Sequence, residues 1–159
     1  MNAVVSYDAL HFRDMEENDL DLVMAIEEKV YPFCWTRAIF TDCLLGGYAC
    51  RVVETSEGLA GYAVLSYGAG EAHVLNIAIH PQLQGRGIGR ALLEHLLELA
   101  KRFNADTVFL EVRPSNHTAL RLYDTMGFNQ VGLRRGYYPS TKGREDAIIL
   151  ARSLIDFET

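Results

Sequence analysis

The sequence contains no run of 18 or more apolar residues, so no segment reads as a membrane-spanning helix. Its first residues, MNAVVSYDALHFRDMEEND, lack a basic stretch followed by an apolar one, and no secretory leader is expected. Cysteine is sparse. Cys34, Cys43 and Cys50 are odd in number and show no C-x-x-C spacing, which argues against a disulfide framework or a zinc site. Free thiols in a reducing cytoplasm are the expectation. The five histidines (His11, His73, His80, His95, His117) are scattered without H-E-x-x-H, so no metal is expected. Basic residues are outnumbered, 15 against 21, for a formal net charge of −6. That balance disfavours a basic face for nucleic acid and suits a cationic substrate. Linkers, repeats and low-complexity tracts are also missing. One domain over residues 1–159 is therefore expected, burying roughly 70% of the surface of the unfolded chain.

What is present is a soluble-type composition, 49% hydrophobic and 23% charged, patterned into clear elements. A short strand is predicted near Leu10 to Arg13. Asn18 or Asp19 can cap a helix to about Val30, with Leu20, Val23, Ile26 and Val30 at helical spacing. Pro32 ends it, and a second helix runs from about Thr36 to before Gly46. Three strands follow, Tyr48 to Glu54, Leu59 to Ser66 and Ala72 to Ile79, joined by short Gly-containing turns that suggest an antiparallel meander. The strongest helix comes next, with Ile88, Leu92, Leu96, Leu99 and Phe103 on one face. Thr107 to Val112 reads as a strand buried on both faces. Asn116 can cap a helix ending at Gly127, and strands are predicted at Val131 to Tyr137 and Ala147 to Arg152. The order gives an α/β (α+β) fold whose mostly antiparallel sheet contains one parallel junction.

Between the third meander strand and the long helix lies Gln84-Gly85-Arg86-Gly87-Ile88-Gly89. Glycines allow close backbone approach, and a helix start offers free N–H groups at the positive end of its dipole, so an anion such as phosphate is expected here. The dinucleotide fingerprint G-x-G-x-x-G fails from either Gly85 or Gly87, and no Gly-Lys-Ser/Thr of a Walker loop is present. A glycine-rich helix start without ligand is the plainer alternative. The remaining pattern, Q-x-x-G-x-G, resembles the pyrophosphate loop of the GNAT family of acetyl-CoA-dependent N-acetyltransferases. Asn116 and the run Tyr123-Asp124-Thr125-Met126-Gly127-Phe128 are similar to a second family signature, and the resemblance covers nearly the whole chain. It implies a GNAT fold, a mixed, mostly antiparallel sheet of about six to seven strands with about four helices. The segments from Glu71 to Ala100, from Phe109 to Phe128 and from Arg134 to Leu150 look like the family branch that acetylates the N-terminal alanine of small-subunit ribosomal protein number eighteen.

The resemblance implies acetyl-CoA as co-substrate. It points to backbone groups of Ile77, Ala78 and Ile79 along the pantetheine arm, to Gly85, Arg86, Gly87, Ile88, Gly89 and Arg90 around the pyrophosphate, and to Asn116. Arg86 and Arg90 read equally well as solvated helix charges. Amine acetylation requires the amine to lose a proton, and at pH 7 that costs about 1.4 kcal/mol for an α-amine but about 4.6 for a lysine. One modest base therefore serves an α-amine. Glu111, the lone carboxylate of its strand, matches the family's general base, and its apolar neighbours could raise its pKa. A strand acid paired with a base such as Arg113 is the alternative. Tyr123 matches the general acid at the leaving sulfur, or it seals its helix to the core.

On the peptide side the resemblance points to Trp35 and Tyr138. The family's Pro-Trp is interrupted here as Pro32-Phe33-Cys34-Trp35, and core packing of Trp35 is the competing reading. Asp146 is expected to shape a turn. The implied partner is a ribosomal-protein N-terminus in the cytoplasm, with no nucleic acid or membrane contact and room for a transient protein partner. Acetylation of another N-terminus, a lysine or a small amine, and non-catalytic binding of acetyl-CoA, stay open.

Overall fold

A computed structural model describes residues 9–155. The seven strands hydrogen-bond in the order β1-β2-β3-β4-β5-β7-β6, where β1 is His11–Asp14, β2 Ala49–Thr55, β3 Gly58–Gly68, β4 Glu71–Ile79, β5 Thr107–Val112, β6 Asn129–Ser140 and β7 Gly143–Ser153. The helices are α1 (Leu20–Val30), α2 (Arg37–Leu45), α3 (Ile88–Arg102) and α4 (His117–Thr125). The expected fold class is thus observed, a mixed and mostly antiparallel sheet with four helices. The described residues form two compact units, one of residues 9–66 with Leu75–Glu98, the other of Tyr67–Val74 with residues 99–155.

In the first unit, β1 and β3 flank β2 in antiparallel register. Helix α1 buries Leu20, Val23 and Ile26 at helical spacing. It ends at Tyr31, whose backbone is extended because Pro32 follows it. The expected cap differs in detail. The Asp19 side chain makes no cap bond to α1; it accepts from Glu16 N at 2.8 Å and pairs with Arg13, closing the short turn at Glu17–Asp19. Helix α2 begins near Thr36 as expected, and the Thr36 side chain caps it, accepting from Ile39 N. Phe40 packs edge-on to Tyr62, with ring centroids 5.7 Å apart, at the centre of this core.

In the second unit, Ala69 and Gly70 turn β3 into β4 with φ of 52° and 81°, the two left-handed residues of a type I′ turn. The first half of β4 pairs with β5 in parallel from Glu71–Thr107 to Val74–Leu110, and that register ends there. Strand β7 pairs antiparallel along the whole of β5. The expectation that β5 is buried on both faces is corrected. Val108, Leu110 and Val112 are buried, while Thr107, Phe109 and Glu111 are only half-buried, so one face alone is sealed. Strands β6 and β7 run longer than predicted, because their exposed stretches lack the apolar runs that marked their centres.

Candidate active site

The first unit carries the glycine loop. After β4, the His80 ring accepts from Gln82 N at 3.1 Å, and Gln84 Nε2 donates to Ile79 O at 3.1 Å, folding the loop back on its strand. Gly85 and Gly87 have φ of +78° and +86°, conformations that L side chains rarely adopt. A Cβ on Gly85 would meet nothing within 4 Å, so the backbone faces open space. Ala91 N donates to Gly87 O at 3.1 Å, and the helix amides before it have no intrahelical acceptor. Arg86 Nε is buried without a hydrogen-bond partner, the single such side-chain atom among the described residues. Arg90, by contrast, meets Glu94 at 3.4 Å. A buried guanidinium nitrogen lacking an acceptor, beside unpaired amides at the start of a 15-residue helix, fits a pyrophosphate.

Leading into this loop, β4 buries Ala78 and half-buries Ile77 and Ile79. Tyr31 Oη donates to Ile77 O. Gly61 of β3 is obligatory there, since a Cβ would come within 2.6 Å of Ala78 O. Trp35 is half-buried against the core, its ring centroid 5.2 Å from that of Phe40, and its backbone N–H donates to Glu27.

The second unit carries the candidate acid and base. Glu111 is 29% exposed and pairs with Arg134 Nε at 3.0 Å. The expected apolar enclosure is therefore absent on its face of β5, and its cationic partner is Arg134 instead of Arg113. Arg113 lies with its guanidinium carbon 4.4 Å from the Tyr138 ring centroid and bonds Pro139 O and Glu145. Burial, with the nearby charge of Glu111 second, pushes the Tyr138 hydroxyl up to about 12. Tyr123 is buried on α4 against Phe128, and desolvation pushes its hydroxyl up to about 12, with Tyr138 adding to the shift. Asn116 caps α4, its side-chain oxygen accepting from Ala119 N at 3.2 Å. Asp146 accepts from Gly136 N at 2.8 Å, so it holds a bulge in β6 and not a simple turn. The charge of Glu111 thus bears on the Tyr138 hydroxyl, and Tyr138 on that of Tyr123.

Sequence reasoning missed Glu27, Arg134 and Glu145. Arg134 and Glu145 act across the β-strands, 23 and 32 positions from Glu111 and Arg113 respectively, and carry no local signal. Glu27 does carry one: it lies four residues after Val23, on the buried stripe of α1.

The chain belongs to the GNAT acetyltransferase family, which it matches over residues 12–128. It is 39% identical over 137 residues to the [ribosomal protein bS18]-alanine N-acetyltransferase of Escherichia coli K12, covering 86% of this chain and 93% of that one. The crystal structure of the Escherichia coli ribosomal-protein-S18-alanine N-acetyltransferase superposes with a TM-score of 0.85 at 36% identity, over 94% of this chain and 98% of that one. Ard1 from Thermoplasma volcanium superposes at 0.84 with 26% identity, over 93% and 99%. The protein is an N-acetyltransferase by family.

Proposed function

We propose that this protein moves the acetyl group of acetyl-CoA to the α-amine of an N-terminal alanine, on small-subunit ribosomal protein eighteen, in the cytoplasm and as one catalytic domain over residues 1–159. The observation that carries the reading is the orphaned, buried Arg86 Nε beside the left-handed glycines at the start of α3. The 39% identity to a bS18-alanine N-acetyltransferase supports the choice of substrate.

When bound, acetyl-CoA supplies an activated acyl thioester. Arg86 and the amides of Gly85, Gly87, Ile88, Gly89 and Arg90 hold its pyrophosphate. The backbone of Ile77, Ala78 and Ile79, past the end of the β4–β5 register, binds the pantetheine arm as an added strand would, and an N–H there polarises the thioester carbonyl. Asn116 contributes its amide nitrogen, its oxygen being occupied by the cap. Glu111 accepts a proton from the α-ammonium, and Tyr123, in the general-acid position, donates a hydrogen bond to the sulfur as it departs. Trp35 and Tyr138 contact the peptide. No metal has a part in these roles.

The test is a panel of peptides with acetyl-CoA, read by mass spectrometry. Alanine-initiated ribosomal-protein peptides gain one acetyl group at the N-terminus. Modification of lysine side chains or polyamines alone, or ligand-induced thermal stabilisation without CoA release, overturns the reading in favour of another GNAT substrate or a binding module.

A further inference from the structure

Glu27 is the one acidic side chain of α1 that is almost wholly buried, at 1% exposure. Three neutral donors hydrogen-bond to it. Oε1 accepts from Tyr62 Oη at 2.6 Å and from Asn76 Nδ2 at 2.9 Å, and Oε2 accepts from Trp35 N at 2.9 Å. Burying a carboxylate is costly, and here three donors offset that cost. An apolar residue on this stripe would serve the core of α1 more simply. What the carboxylate does and an apolar residue could not is bind three segments to α1 at once: β3 through Tyr62, β4 through Asn76, and the loop through Trp35.

The loop from Tyr31 to Trp35 is tied at both ends. At its start Tyr31 Oη donates to Ile77 O, the residue after Asn76 on β4. At its end the Trp35 amide reaches β4 through Glu27 and Asn76. Between the ties, Pro32, Phe33 and Cys34 are exposed. The loop therefore presents its middle to solvent while both ends are referenced to the stretch of β4 that leads into Ile77–Ile79. We infer that Glu27 is a positioning residue that presets the Tyr31–Trp35 loop against β4, and so fixes where the acceptor peptide sits. This inference rests on the proposed peptide acetylation.

The test uses the full-length protein and two variants. Glu27→Gln keeps the shape but has one acceptor atom where Glu has two, so it cannot serve Trp35 and the Tyr62–Asn76 pair together. Tyr62→Phe removes one donor on the β3 side and leaves the loop tie intact. For Glu27→Gln the expected result is a peptide KM raised about tenfold, the scale of one lost charge-assisted bond. Its KM for acetyl-CoA stays within about twofold. Trp35 is the only tryptophan, so its fluorescence reports the loop alone, and acrylamide quenching rises in Glu27→Gln but not in Tyr62→Phe. Tyr62→Phe lowers the melting temperature and leaves the peptide KM in place. The inference is overturned if Glu27→Gln leaves both peptide KM and quenching unchanged, or if the two variants shift both KM values in parallel. Should Glu27→Gln fail to fold, hydrogen exchange on the wild-type protein decides: the Trp35 amide must be protected like the α1 core, and exchange at an open-loop rate refutes the clamp. Quenching and exchange need no turnover, so a wild type inactive on peptides would count against the proposed function without deciding the clamp.

Discussion

Tyr123 and Glu111 stand in opposite surroundings. The phenol is buried on α4 and desolvation holds its proton until about pH 12, so it is a full donor at any working pH. A thiol ionises near 8.5, so complete transfer from this phenol to a thiolate is uphill by about 5 kcal/mol. Tyr123 therefore acts chiefly by hydrogen-bonding the sulfur as charge builds there, and Tyr123→Phe should lower kcat by about a hundredfold at every pH between 6 and 10. An unchanged rate across that range removes Tyr123 from the chemistry. Glu111 faces water and the Arg134 guanidinium, so an arriving α-ammonium replaces one cation with another at the same carboxylate. Glu111→Gln should lose about a hundredfold or more in kcat while calorimetry with acetyl-CoA gives an unchanged Kd. Loss of cofactor affinity in step with kcat would make Glu111 structural.

At the scale of elements, the start of α3 shows how a local sequence pattern becomes a site. Gly85 and Gly87 alternate with residues of ordinary backbone, turning successive N–H groups toward the same side. Gly87→Ala places a Cβ at φ +86°, a strain of about 1 kcal/mol, and should weaken acetyl-CoA binding at least tenfold in a thermal-shift titration while leaving the helical circular dichroism signal intact. Undiminished affinity would move the pyrophosphate away from this loop. Such elements were legible because their signals are local: the α3 stripe, the helix start near Thr36, the Asn116 cap and the Gly turns all lie within a few residues of what they determine. The rest depended on distance. Which face of β5 is open follows from what the strand packs against, not from TVFLEV. The partner of Glu111 comes from β6, and the β6 bulge is held by Asp146 and Arg144 from the opposite strand. The Glu27 hub joins positions 8, 35 and 49 residues away.

For the molecule as a whole, the shifted groups set a stability window with two limbs of opposite sign. Asp19, held down chiefly by its bond from Arg13, and Glu145, held down chiefly by Ser115, ionise in the fold below the ordinary carboxylate range. Their contribution is complete above that range and is lost as the pH falls through it. The alkaline limb runs the other way. Burial pushes the Cys43 thiol up and the Cys50 thiol up to about 11, with the Tyr62, Tyr123 and Tyr138 hydroxyls raised above both their ordinary range and the thiols'. The unfolded chain gives up these protons first, so stability is full below about pH 8.5 and declines as the pH rises toward the folded values. Cys50 is among the first to act, because an unfolded thiol ionises before an unfolded phenol. Between pH 7.5 and 10.5 it should account for about 2 kcal/mol of the loss in unfolding free energy. Cys50→Ala, measured by urea unfolding at both pH values, should start less stable because of the small void yet lose about 2 kcal/mol less across that interval. If wild type and variant decline equally, the alkaline limb belongs to the tyrosines and the Cys50 thiol has no part in it.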